Sequence, residues 1–130
     1  MKIHPVARQI GAAVTVLLLL ALAFEGIVSG VGQWPHSFTA GQHAQSAAQV
    51  LSGVCAILSI ATAIRWRDYA VPVQAGFVAS SVVAAGLASI AWGGGSYWSG
   101  MLVGVAALVI ALLLVWMLRT TVQPLVNRET

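Results

Sequence analysis

Ala21-Leu22-Ala23-Phe24-Glu25-Gly26-Ile27-Val28-Ser29-Gly30 is the stretch on which the reading turns. It lies inside an apolar run from Ile10 to Gly32 and places a carboxyl where neither a terminus nor a loop can carry it to water. Every other charged side chain falls near an end of the chain or in a short loop between apolar segments. Working outward from Glu25, the chain reads as a small polytopic membrane protein with its polar groups gathered around one acid.

Composition supports this. The chain of 130 residues is 59% hydrophobic and 7% charged, whereas a soluble domain carries about 25% charged residues. A bilayer core about 30 Å thick takes about 20 apolar residues per helix. Four such runs fit, at about residues 10–32, 42–64, 70–92 and 97–118, so residues 1–130 form a single integral membrane domain. The expected fold is all-α, a four-helix transmembrane bundle. The first run outlasts a signal-peptide core of about 7–15 residues, so it is expected to stay as a helix.

The six basic residues explain the net charge of +3 as a topology signal. Lys2 and Arg8 precede segment one, Arg65 and Arg67 join segments two and three, and Arg119 and Arg128 follow segment four. The other two loops hold no Lys or Arg. With four spans all six fall on one side, which the positive-inside tendency assigns to the cytoplasm, with both termini. Scattered in this way they form no nucleic-acid patch, and no nucleic-acid partner is expected. The compact chain, without a trafficking signal, fits a bacterial inner (plasma) membrane.

Small residues mark faces meant for close approach. Gly26 and Gly30 lie four apart in segment one, as do Gly100 and Gly104 in segment four. Ala44, Ala48, Ser52 and Ala56, and then Gly76, Ser80, Ala84 and Ala88, repeat the interval in segments two and three. Lone Cys55 falls mid-helix and offers neither an intrachain disulfide nor a thiolate cluster.

The candidate site follows from helical spacing. Glu25, Ser29 and Gln33 share a face of segment one at i, i+4 and i+8. Gln42, Gln45, Gln49, Ser52 and Ser59 form a strip along segment two, with His43 beside its start and His36 in the preceding loop. Trp92, Ser96, Tyr97 and Trp98 close the same end from the other hairpin. The expectation is an outward-opening polar cup around Glu25, Ser29, Gln33, His43, Gln45, Gln49, Trp92 and Tyr97 that holds a ligand or a proton. A purely structural alternative is that Glu25 and Gln49 bond each other and only join helices. Glu25, His36 and His43 are the candidate metal ligands, but they follow no known ligand spacing, and no metal is assigned. No haem is expected, because no His lies well inside the bilayer. Neither a nucleophile–base pair nor a Walker or HExxH motif is present, which leans away from an enzyme and leaves no catalytic residue to assign.

One resemblance follows from the outline: four spans with both ends inside, Phe24 before Gly26 late in helix one, then a long loop. Ala48-Gln49-Val50-Leu51-Ser52-Gly53 leads to a basic turn at Arg65 and Arg67. In these features the chain resembles the DoxX-like membrane proteins. That resemblance implies a small membrane subunit associated with oxidoreductases or quinone-linked complexes. The family often has a basic residue just after the helix-one Gly; here Ile27 stands there. The first functional reading is accordingly an accessory or structural subunit that packs beside another membrane protein or its own copies. The alternative is a small proton-coupled transporter, or a binder of a hydrophobic ligand such as a quinone, using the cup around Glu25.

Overall fold

The computed structural model describes residues 5–36, 39–92 and 96–122. It is a bundle of four helices: α1 (Pro5–Gln33), α2 (Ala40–Ile64), α3 (Ala70–Leu87) and α4 (Tyr97–Met117). Each belongs to a continuous helical run of 25 to 31 residues, long and apolar enough to cross a membrane. The chain is therefore built as a small polytopic membrane protein.

Local chemistry sets the boundaries. α1 starts at Pro5, ahead of the expected Ile10, because proline suits a first helical turn whose N–H groups lack partners in any case. α2 starts at Ala40, ahead of Gln42, because Thr39 accepts from the Gln42 N–H at 3.1 Å while the Gln42 side chain accepts from the Thr39 N–H at 3.3 Å. This reciprocal capping box satisfies two N-terminal donors. Ser96 caps α4 by accepting from the Ser99 N–H at 3.3 Å. α3 and α4 each end in a π-helical turn, Ala88–Trp92 and Leu118–Val122 respectively, which carries both helices past their regular ends.

Consecutive helices pack side by side, α1 on α2, α2 on α3 and α3 on α4. The ring closes unevenly. α1 meets the chain again mainly at the 118–122 turn and touches α4 along little of its length. Buried Thr15, Leu19, Thr62, Ala63, Leu118 and Val122 seal that half. It is also the half that carries Arg8, Arg65, Arg67 and Arg119, here termed the basic end. Toward the far end Gly26 and Gly30 of α1 lean on α2, against Gln49, Val50 and Gly53.

The α1–α2 contact is backbone on backbone. A Cβ on Gly26 would stand 2.8 Å from the Gln49 carbonyl oxygen, and one on Gly53 would stand 2.8 Å from that of Ala23. Helices this close gain van der Waals contact that lipid cannot supply, and a side chain at either glycine would force them apart.

Candidate functional site

The uneven closure leaves a cleft between α1 and α4, deep in the membrane-spanning part. Its volume is about 320 Å³, and all four helices line it. Leu22 and Glu25 of α1 and Ala107 and Ile110 of α4 border it. Buried Phe77, Ala84, Ala111 and Leu114 form the floor, and Gln45, Gln49, Ser52 and Ser81 supply a polar inner wall.

The wall residues lie there because α2 carries polar side chains at three- and four-residue offsets, which a helix aligns on one face. That face turns to α3. The Gln42 amide donates to the Ala91 carbonyl at 3.3 Å, and the Gln45 amide donates to the Ala84 carbonyl at 3.4 Å. Ser52 and Ser81 share a hydrogen bond at 2.8 Å. Ser59 turns inward and donates to the Cys55 carbonyl at 2.7 Å. Part of the strip thus holds α2 to α3, with no role for Glu25.

Gln45 is the exceptional member. Its side chain is 3% exposed. Both acceptors it reaches, Gln49 Oε1 at 3.0 Å and the Ala84 carbonyl, take its Nε2 hydrogens. That fixes the amide orientation, and Oε1 is left buried without a partner among the described residues. An unpaired buried acceptor costs about 1–3 kcal/mol, so this lining residue carries an oxygen that would gain from any O–H or N–H donor brought to it.

Glu25 stands at the mouth, exposed, and makes no hydrogen bond or ion pair with another described residue. It lies eight residues, about 12 Å at 1.5 Å per residue, before the end of α1. At bilayer depth an acidic side chain costs about 2.5–3.5 kcal/mol, and facing a cleft with polar groups moderates that cost. The direct Glu25–Gln49 bond of the structural alternative is not formed; Gln49 Oε1 instead accepts from Gln45.

The structure thus brings Glu25, Gln45 and Gln49 onto one cavity. Ser29 and Gln33 continue up α1, half-buried, and do not line it. His43 packs its ring on Trp34, centroids 4.5 Å apart and planes at 51°, outside the cavity. Tyr97 is 81% exposed and borders a separate groove between α3 and α4. Trp92 ends the π-helical turn of α3, and its side chain lies outside the described residues. Among the described residues, then, the cavity gathers Glu25, Gln45 and Gln49 of the expected cup, and Ser29, Gln33, His43 and Tyr97 do not line it. Among the described residues no three His, Cys, Asp or Glu side chains gather, so Glu25, His36 and His43 do not form a metal centre. His36 is exposed in the single turn Trp34–His36 after α1, and His43 is held against Trp34.

Sequence reasoning missed most of the cavity's apolar lining and one polar member, among them Ser81, Phe77 and the Ala107–Leu114 face of α4. Ser81 is legible in hindsight as a polar residue in an otherwise apolar helix. The α4 face carries no polar signal at all.

No protein-family model, no curated protein and no solved structure matches this chain.

Proposed function

We propose that this small membrane protein binds an amphipathic ligand that enters sideways from the bilayer through the α1–α4 cleft. The observation that carries the reading is Gln45, a residue lining a mostly apolar cavity whose buried Oε1 has no partner among the described residues, with exposed Glu25 lining the same cavity. Both groups accept hydrogen bonds, so the ligand of choice has an apolar body and an O–H or N–H donor. A quinol has that form, and proton exchange with Glu25 on binding or release would make transport proton-coupled. All four described Lys and Arg side chains lie at the sealed end, which supports a cytoplasmic location for both termini in a bacterial inner membrane.

The direct test uses decylubiquinol and decylubiquinone, which share a skeleton and differ in whether the ring oxygens donate. Protein in nanodiscs is expected to retain the quinol over the quinone. Gln45→Leu is expected to lower quinol retention by about two- to tenfold, the worth of a neutral hydrogen bond. Equal retention of both forms, or no effect of Gln45→Leu, overturns the reading.

A second reading is an accessory subunit, of the kind the resemblance to DoxX-like proteins implies. It is favoured by an apolar groove of about 640 Å³ on the outer side of the α1–α2 pair, lined by Gly30, Val31, Trp34, Val50 and Val54 among others. A partner helix, or a second copy of the chain, would pack there through small and apolar residues. Extraction in mild detergent separates the readings: a stoichiometric partner chain supports the subunit, and a monomer retaining quinol supports the binder.

A further inference from the structure

A second polar corner lies outside that cleft, between α3 and α4. Gln74, one turn into α3, is 2% exposed. Its Oε1 accepts from Arg119 Nε at 2.8 Å, which fixes the amide orientation. Its Nε2 is buried and has no partner among the described residues. A guanidinium carries five N–H donors, of which this bond uses one. The pair therefore carries positive charge and more donors than the one acceptor it shares. It opens onto an apolar groove of about 680 Å³ between α3 and α4, along Val78, Ala79, Val82, Leu108 and Val115. Val82, Val83 and Leu108 also border the next groove, which continues past Gly86 and Gly100 to Tyr97. A hydrocarbon channel thus runs most of the way along the helix pair and ends at the basic corner.

We propose that this groove is a binding site for an anionic membrane lipid, with the acyl chain along the α3–α4 furrow and the headgroup phosphate on the Arg119 guanidinium and the Gln74 amide. Charge complementarity selects the headgroup. Arg119 is held by Gln74 with its terminal N–H groups free of that bond, and guanidinium–phosphate bonds are charge-assisted. The unpaired Gln74 Nε2 supplies a further donor beside it. The furrow selects a lipid over a free anion, because every lining residue except Gln74 and Arg119 is apolar. The site is independent of the α1–α4 cleft and of any ligand bound there.

The test is native mass spectrometry of the full chain, released from detergent with equimolar phosphatidylglycerol and phosphatidylcholine, which differ in net headgroup charge. Phosphatidylglycerol adducts are expected to dominate. Arg119→Gln is expected to lower the preference about fivefold, the typical worth of one basic residue near an anionic membrane surface. Gln74→Leu is expected to lower it as well, with Arg119 still in place. Ala79→Leu, which narrows the furrow away from the charge, is expected to reduce retention of both lipids. If Arg119→Gln is not recovered folded, Gln74→Leu alone decides. Unchanged preference in the recovered polar variants overturns the proposal. So does displacement of phosphatidylglycerol by equimolar inorganic phosphate, which would mark a simple anion site.

Discussion

Gln45 donates its side-chain amide to Gln49 Oε1 at 3.0 Å across one turn of α2, and the bond leaves the Gln45 oxygen buried without a partner among the described residues. The two glutamines are not equivalent. Gln49 completes a donor's needs, whereas Gln45 carries an unmet acceptor into a buried position. Their removal should therefore have opposite character.

Gln49→Leu takes away the better acceptor of Gln45 Nε2 and leaves it the 3.4 Å bond to Ala84. The expected loss of stability is about 1–3 kcal/mol, the cost of an orphaned buried donor. Gln45→Leu removes the unpaired oxygen together with its donors, and is expected to stay within about 1 kcal/mol of the parent while weakening ligand binding. Reversible unfolding in mixed micelles compares the two. A greater loss for Gln45→Leu contradicts the assignment of the free acceptor.

The α1–α2 crossing predicts a contrast between glycines of one helix. Gly26→Ala places a methyl group 2.8 Å from the Gln49 carbonyl oxygen, and overpacking of this kind costs about 1–3 kcal/mol. Gly32→Ala meets nothing within 4 Å. It is expected to be neutral or to stabilise by up to about 1 kcal/mol, the helix-propensity difference. Thermal unfolding in detergent reads both.

Much of this was legible in the chain, and the limits have physical reasons. Four apolar runs of membrane length can only be helices or barrel strands, and these runs are too long and continuous for strands. The Gly26–Gly30 interval marks a close contact because residues without a side chain let backbones approach, and the polar strip on α2 aligns because a helix has one period. The Gly100–Gly104 interval looked equivalent. Yet only Gly100 is tightly packed, against Ile90, while a Cβ on Gly104 would stand in ordinary contact at 3.7 Å from Val82. Spacing shows which face is small and not what will press on it. The open seam between α1 and α4 was invisible for the same reason: it is a property of how the ring closes, and no residue encodes it alone. Gln74 and Arg119 went unpaired because they are 45 positions apart, and each has an ordinary reading when taken singly.

Ser52 and Ser81 bond each other at 2.8 Å between α2 and α3. A double-mutant cycle with alanine at both positions is expected to give a coupling of about 0.6 kcal/mol, within the ceiling of about 1.7 kcal/mol known for such bonds in membranes. Strictly additive single effects would contradict the contact.

Cys55 is buried in the core, its sulfur 3.6 Å from where a Cβ on Gly76 of α3 would stand. In the folded protein it is expected to resist a maleimide reagent and to react fully in dodecyl sulfate, as followed by mass shift. A cysteine placed at Glu25 in a Cys55→Ser chain, at the exposed mouth of the cleft, is expected to react without unfolding. Rapid labelling of Cys55 in the native state contradicts the packing.

The central claim is that α1 and α4 are pinned together at the basic end and part above it. A Cβ on Gly11 would lie 3.8 Å from that of Thr121, within the roughly 3.5–4.5 Å that a disulfide spans. Cysteines at Gly11 and Thr121 in a Cys55→Ser chain should therefore cross-link on mild oxidation in the membrane. Cysteines at Leu22 and Ala107, across the cleft, should not. The account predicts a cross-link at the first pair only; efficient cross-linking of the second would show that the seam is shut and that the cleft does not exist.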